Sequence, residues 1–405
     1  MIKKIKVEQL KPGIFVQDFN CSWLDHPFLL NKARIKNEQE IEKIIRHGVR
    51  DVYIDTDKGL DVEDAPTKDE VDRQNLLALE NLSVATSTPR SRVPLTEEIH
   101  RAEALVAHAK LTTRLLMENV RLGKQIDMPT VKNIVDMMTR SVFNNTDALI
   151  SLLRIKNKDE YTFMHSLAVS ALCISFGGRL GFDDDKIRKI GIGGLLHDIG
   201  KVRVPIEILT KPGRLSEQEF DIVKDHVRNG LAILRQTTEI DDDSLRLTAD
   251  HHERLDGSGY PDGLRGDEIS LFGQMAAIID TYDALTSERC YKTAIQPTEA
   301  LRRIYEWSEN SLNRDLVETF IAHLGIYPIG AVVRLRSGLI GVVIDHGEKG
   351  LLYPVVRIVR DARKHRRIEP FDVNLSKQNG TDETDEILAY ESPERLKINP
   401  LHYLH

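Results

Sequence analysis

The 405-residue chain is 41% hydrophobic and 29% charged, with a formal net charge of −7, a profile of a soluble globular protein with room for two or three domains. That charge argues against a broad nucleic-acid surface but leaves room for a small anionic ligand in a locally basic pocket. Cys21, Cys173 and Cys290 are too widely spaced for a disulfide framework, Met1-Ile2-Lys3-Lys4-Ile5-Lys6 lacks the apolar run of a signal peptide, and no uncharged stretch is long enough to span a bilayer. A cytoplasmic protein with reduced thiols is expected.

Residues 1–60 read as a small α+β unit of a binding or regulatory kind. A Pro12-Gly13 turn leads into the strand-like Ile14-Phe15-Val16, Glu38 to His47 has helical spacing closed by Gly48, and Val49 to Asp55 alternates as a strand does. Residues 61–94 are polar and acid-rich, ending near Thr88-Pro89-Arg90-Ser91, and read as a linker with a short helix around Leu76 to Leu82. Residues 95–327 are helical throughout. Thr96-Glu97-Glu98-Ile99 suggests a capped start to a helix reaching about Leu122, and Pro129 opens another to about Leu153, with Ile134, Met137, Met138 and Val142 on its core face. Further helices are expected at Asp159 to Leu180, Asp184 to Ile199, Ser216 to Leu234 with a capping box at Ser216 and Glu219, Ile269 to Thr286, and two within Pro297 to Leu324. Residues 328–405 turn β-rich, with strands at Ala331 to Leu335, Gly341 to Ile344 and Val355 to Val359 and a disordered acidic segment near Lys377 to Glu386. The run Arg363-Lys364-His365-Arg366-Arg367 reads as a solvated turn. The fold class is therefore mainly α, with a small α+β domain before the helices and a small β-rich module after them.

The helical region carries the chemistry. His197-Asp198-Ile199-Gly200-Lys201 is a weak signal alone, but His165, His226, His251-His252 and Asp280 lie on neighbouring segments. Imidazoles and carboxylates gathered this way suit a multinuclear site for a hard or borderline divalent metal. Any single histidine is better read as a satisfied core residue; the set is not. Asp198 can bridge two cations through its two oxygens. Two bridged ions acidify a shared water and neutralise a phosphoryl oxygen. With no evident serine or cysteine nucleophile, hydrolysis is favoured. Lys201 could meet a phosphate or protonate a leaving oxygen; it could equally be a helix C-terminal cation, with Gly200 as the C-cap.

The specific stretch is His251-His252-Glu253-Arg254-Leu255-Asp256-Gly257-Ser258-Gly259-Tyr260-Pro261, followed by Asp280-Thr281-Tyr282-Asp283-Ala284-Leu285-Thr286-Ser287-Glu288-Arg289-Cys290-Tyr291-Lys292. With these motifs, Tyr161 to Lys292 resembles the HD-GYP family, a branch of the HD superfamily of metal-dependent phosphohydrolases whose members open the bacterial messenger cyclic di-GMP. The first sixty residues, with Ser22-Trp23-Leu24-Asp25-His26-Pro27-Phe28, are similar to an uncharacterised domain often found ahead of HD-GYP domains. The resemblance implies an all-helical HD-type phosphodiesterase domain. It places one ion on His165, His197, Asp198 and Asp280 and a second on Asp198, His226, His251 and His252. By the same resemblance, Lys201 matches a phosphate-contacting lysine, Arg289 and Lys292 match cations that approach the nucleotide phosphates, and Gly259, Tyr260 and Pro261 match the loop that gives the family its name. Asp198 and Lys201 are then the catalytic pair, attack comes from a metal-bridging hydroxide, and the product is linear pGpG, with further hydrolysis to GMP left open. Fe(II) or Mn(II) is implied, with Ni or Zn also compatible with the ligands. Diguanylate cyclase (GGDEF) proteins are implied as partners, and a homodimer through the long helices is left open.

Two departures matter. Members with a third metal carry a Glu one turn before the first histidine; here Tyr161 holds that position and Glu160 lies one residue off, so a dinuclear site is expected. Cys290 replaces a proline common between the Arg and the Tyr. Three alternatives share parts of the pattern: hydrolysis of another cyclic dinucleotide such as 3′,3′-cyclic GMP-AMP, a catalytically silent module binding nucleotide or a diguanylate cyclase, and a general HD nucleotidase. The last leaves the Gly-Tyr-Pro loop, Arg289 and Lys292 without a role.

Overall fold

The computed structural model describes residues 1–21, 32–83, 92–154, 161–211, 213, 215–287, 294–347, 352–364, 366–377 and 385–404. The N-terminal domain is a four-stranded antiparallel sheet built from β1 (Ile2–Lys6), β2 (Phe15–Asp18), β3 (Ala33–Arg34) and β4 (Asp51–Asp55), in the order β1-β4-β2-β3, with α1 (Glu38–Arg46) beside it. Asn37 caps α1 by accepting from the Glu40 amide, and Ile41 and Ile44 give the helix its buried face. All of β4 is buried because its two faces meet different partners. Val52 and Ile54 join Ile5, Val16 and Ile44 in the domain's own core. On the other face Tyr53 donates to both carboxylate oxygens of Glu306 (3.1 Å each) in the helical domain. A period-two strand thus glues one domain to the next.

Helix α2 (Lys68–Ser83) extends well beyond the short helix expected in the linker. Its Asp72 and Asn75 meet Arg302 and Glu306, so the segment packs onto the helical domain. Next comes α3 (Leu95–Arg121), which starts after Pro94 with no side-chain cap, so the cap expected at Thr96 does not form. The helix expected from Pro129 is two, α4 (Met128–Asn144) and α5 (Thr146–Arg154). The break is at Asn145, whose Oδ1 accepts from the amides of Asp147 and Ala148 and so starts α5.

Two helices are apolar on nearly every side and therefore central. One is α6 (Tyr161–Arg179), whose Leu167, Ala171 and Ile174 join the core shared with α3, α4 and α5 while Val169, Leu172 and Phe176 join a second core. Against it lies α7 (Asp184–Leu196), capped by Asp183. It ends at Leu196, not Ile199, and Ile199–Arg203 follows as a 3₁₀ turn. A short α8 (Ile206–Leu209) leads to α9 (Glu217–Lys224), which shows the expected Ser216/Glu219 capping box. The helix then breaks at Asp225, and α10 (His226–Leu234) begins on the histidine. After α11 (Asp242–Asp250) comes the second central helix, α12 (Leu271–Thr286), which packs on α6 and α11. The helical region closes with α13 (Pro297–Trp307) and α14 (Arg314–Leu324).

The C-terminal module is a five-stranded antiparallel sheet, order β8-β7-β6-β5-β9, from β5 (Val332–Leu335), β6 (Leu339–Asp345), β7 (Val355–Asp361), β8 (Arg366–Asn374) and β9 (Ile387–Tyr390). One face (Val333, Val343, Val356, Ile358) forms a small core of its own, and the other (Val332, Ile340, Val342, Val359) joins the core of the helical domain. Arg366 and Arg367 open β8, so the basic run expected as a turn is half strand; its His365 lies outside the described residues. Most of the acidic segment from Lys377 to Glu386 also lies outside them. A short α15 (Pro393–Leu396) ends the named helices. The fold is mainly α. Among the described residues no helix is long and apolar enough to cross a membrane.

Glu306, 4% exposed, collects Tyr53, Asn75, Arg302 and Lys4 and so ties β4, α2 and β1 to α13. Glu306→Ala removes the shared acceptor and leaves Arg302 buried with fewer partners. The expected cost is on the order of 3 kcal/mol, read as a fall in the urea midpoint of the transition that releases the N-terminal domain. An unchanged midpoint would contradict this docking role.

Candidate metal centre

The 3₁₀ turn after α7 brings the predicted ligands together. Gly200 in that turn lies so close to α10 that an added Cβ would sit 1.9 Å from the His226 carbonyl oxygen and 2.4 Å from the Gly230 amide nitrogen. Its role is close approach and not the C-cap suggested by the sequence. With the backbones this near, Asp198 Oδ1 lies 3.2 Å from His226 Nε2, while Asp198 Oδ2 lies 3.4 Å from both His165 Nε2 and His197 Nε2. Asp280 of α12 completes the other side: its Oδ1 is 3.1 Å from His165 Nε2 and 3.9 Å from His197 Nε2, and its Oδ2 is 3.8 Å from His252 Nδ1.

Two sets of ligand atoms result. Asp198, His226, His251 and His252 offer atoms all within 4.8 Å of one another, and His165, His197 and Asp280 do the same, every residue being buried. Asp198 lies between the sets, with one oxygen toward each. In three histidines a backbone carbonyl fixes Nδ1: Gly194 for His197 (2.8 Å), Val223 for His226 (2.6 Å) and Thr248 for His251 (2.8 Å). In His165 the Asp283 carboxylate does so at 2.7 Å. Each of these four rings therefore presents Nε2 to the centre, the tautomer a metal requires.

The electrostatics call for cations. Asp198, Asp280 and Asp283 are three buried carboxylates in one small volume. Burial alone would raise Asp198, but the Lys201 ammonium and the His197 and His165 rings hold it well below the usual carboxylate range. Burial would likewise raise Asp280, and His165 keeps it low. His165 itself is pushed up to about 9: burial opposes protonation, and the three carboxylates overcome that. His251 and His252 go the other way, held neutral first by burial and then by neighbouring imidazoles. His197 Nε2 is buried without a hydrogen-bond partner among the described residues, a costly state that a ligated ion relieves. Histidine nitrogens, carboxylate oxygens and this unpartnered nitrogen fit a divalent metal site.

The other predicted residues fall around it. Lys201 Nζ pairs with Asp198 Oδ2, and 22% of its side chain remains exposed. It stands at the rim, touching the shared carboxylate, instead of serving as a C-terminal cation of a helix. The Gly-Tyr-Pro loop folds back on the histidine pair. Gly259 lies against the backbone of Glu253 and Arg254, the Tyr260 amide donates to His252 O (3.1 Å), and the Tyr260 ring stacks on the His252 ring with centroids 4.6 Å apart. Pro261 follows through a cis peptide bond, and its carbonyl accepts from Arg228. Arg289, Lys292, Cys290 and Glu160 lie outside the described residues, as does the side chain of Tyr161.

Two further residues, Asp283 and Glu253, belong to the site although the motif reading does not include them. Asp283 follows Asp280 by three residues on α12, a spacing that puts both carboxylates on one face, so the signal was present. Glu253, 2% exposed, accepts from the amides of Asp262 (2.8 Å) and Leu264 (3.0 Å) and thereby anchors the loop.

A family model described as an HD domain matches residues 130–316, and one described as a domain of unknown function (DUF3391) matches residues 2–131. Among curated proteins, the chain is 38% identical over 402 residues to "Cyclic di-GMP phosphodiesterase PA4108" of Pseudomonas aeruginosa, covering 99% of this chain and 95% of that protein. It is 36% identical over 181 residues to a "Cyclic di-GMP phosphodiesterase" of Thermotoga maritima, 43% of this chain and 49% of that one. It is also 38% identical over 144 residues to "3'3'-cGAMP-specific phosphodiesterase 1" of Vibrio cholerae, 36% of this chain and 33% of that one.

The close approach at Gly200 gives a direct check on the site's construction. Gly200→Ala forces the turn away from α10 and moves Asp198 from His226; overpacking of this kind costs about 1–3 kcal/mol. Unfolding midpoint and bound Mn(II), measured by elemental analysis, are expected to fall together. Full metal content with wild-type unfolding would contradict the arrangement.

Proposed function

The chain belongs to the HD-GYP family of HD-domain phosphodiesterases, and from that membership and the geometry of its metal centre we propose that it hydrolyses cyclic di-GMP to pGpG. The observation that carries this reading is Asp198, a buried carboxylate with one oxygen toward each of two ligand sets. The similarity to the P. aeruginosa phosphodiesterase over nearly both whole chains supports cyclic di-GMP. The V. cholerae cyclic GMP-AMP enzyme matches over about a third of each chain, which gives the other dinucleotide less support.

We assign one divalent ion to His165, His197, Asp198 and Asp280 and a second to Asp198, His226, His251 and His252, with Fe(II) or Mn(II) as the metal. Bound there, such ions acidify a water and neutralise charge on a phosphoryl oxygen. The chain's own residues supply the rest. Asp283 holds His165 in the tautomer and orientation for ligation. Lys201, at the rim of the buried centre beside Asp198, would turn its ammonium to the phosphate or the departing 3′-oxygen once metal holds that carboxylate. Tyr260 keeps the His252 ring in place by stacking, a positioning role. Arg289 and Lys292 enter as phosphate-facing cations on the family resemblance alone, as do GGDEF-protein partners; the cytoplasmic location rests on the cysteine spacing and the sequence's lack of a signal-like or spanning apolar run. A homodimer has one structural support: Leu111, Leu115 and Leu122 are exposed along one stripe of α3 and the residue that ends it.

Asp198→Ala removes the atom pair shared by both ligand sets. Anaerobic assays with Mn(II)-loaded protein and chromatographic separation of products are expected to show pGpG from the wild type. The variant is expected to give none and to bind less metal. Turnover retained in Asp198→Ala would refute the assigned centre.

A further inference from the structure

The N-terminal domain grips the helical domain close to the second ligand group. At the end of α1, Gly48 adopts φ +75° and passes so near the loop after the histidine pair that an added Cβ would lie 2.3 Å from Ser258 Cβ. Two residues on, Arg50 Nε donates to Asp256 Oδ2 at 3.3 Å. Asp256 is almost fully buried at its side chain, and its Oδ1 accepts from the amide (3.0 Å) and hydroxyl (2.6 Å) of Ser258. From Ser258 the chain runs through Gly259 to Tyr260, whose amide bonds His252 O and whose ring covers the His252 ring. A second grip comes from Lys43 of α1, which pairs with Glu217 at the start of α9, the helix that leads into His226.

Both gripped segments lead to His226, His251 and His252. The other group rests on the helical interior alone: α6, with His165, packs on α4, α5 and α7; α7, which precedes His197, also packs on α4; and α12, with Asp280, packs on α6. We propose that the N-terminal domain is a positioning clamp for one of the two metal subsites. Through Arg50, Gly48 and Lys43 it sets the loop 254–260 and helix α9, so its movement alters the ion held by Asp198, His226, His251 and His252 and spares the ion held by His165, His197 and Asp280. The domain of unknown function is then a regulator, because a signal that shifts it changes the occupancy of a single ion. The inference rests on the two-ion reading above. Lys43 and Glu217 are exposed and contribute little; Glu306 holds the domain as a whole, and the tight Gly48–Ser258 contact and the buried Asp256 side chain are what couple it to this loop.

The test uses the full chain with Arg50→Glu, which sets a like charge beside the buried Asp256 carboxylate, and Arg50→Lys as the conservative control. Two readouts are taken: amide hydrogen exchange over residues 252–261 in metal-free protein, and Mn(II) titration, with His252→Ala identifying which of the two affinities belongs to the second subsite. Arg50→Glu is expected to speed exchange of the Leu255, Gly257 and Tyr260 amides and to weaken that one Mn(II) affinity by about tenfold. Exchange in β4 and the other affinity stay as in the wild type, and Arg50→Lys restores most of both changes. Unchanged exchange and affinities in Arg50→Glu, or an equal fall at both subsites, would overturn the clamp. Wild-type protein that binds no Mn(II) would instead overturn the metal reading, whereas normal two-site binding in wild type and variant alike would overturn only the coupling.

Discussion

Three carboxylates buried within one small volume set the terms for the rest of this structure. Asp198, Asp280 and Asp283 cannot stand together in a low-dielectric interior without positive charge among them. These carboxylates push the His165 ring up to about 9, so that without metal it supplies part of that charge as an imidazolium whose proton an ion would replace. Lys201 supplies more from the rim. The neutral His251 and His252 cannot, and they stand ready as ligands. A site whose acids attract cations and whose remaining bases are kept unprotonated is prepared for metal, and the carbonyls behind His197, His226 and His251 fix the rings accordingly.

Holding such a site requires stiff surroundings. The ligands sit on or beside α6, α7, α10, α11 and α12, and α6 and α12 are packed on almost every side by two hydrophobic cores. The first of these cores also takes in one face of the C-terminal sheet, so the distal module braces α6 and α7. The ligand groups differ in their support: His165, His197 and Asp280 belong to the helical interior, while His252 depends on a loop pinned by Glu253, Tyr260 and the N-terminal domain.

Much of this was legible in the chain, for identifiable reasons. The helices around the site follow from apolar spacing, and the start of α9 from the Ser216/Glu219 box. The candidate ligands are legible as a set, because imidazoles and carboxylates recur on neighbouring helical segments, and their division between two ions follows from the family resemblance. The rest depends on tertiary contacts. The break at Asp225 places His226 at the first position of α10, and nothing local in Lys224-Asp225-His226 demands it. Gly200 looked like a helix stop because sequence does not show that α10 passes against it. Strand β8 was hidden by exposed charges, Arg366 and Arg367 among them, since an edge strand need not alternate cleanly. Asp283 stands at a readable helical spacing from Asp280, but only the 2.7 Å contact with His165 shows what it does.

In the proposed centre one buried carboxylate joins two separate ion sites, and anomalous scattering from crystals of the Mn(II)-loaded protein tests this most directly. Two peaks per chain are predicted, one among His165, His197 and Asp280 and one among His226, His251 and His252, each in contact with a different oxygen of Asp198. A single peak, a third peak near Tyr161, or ions that do not touch Asp198 would contradict it.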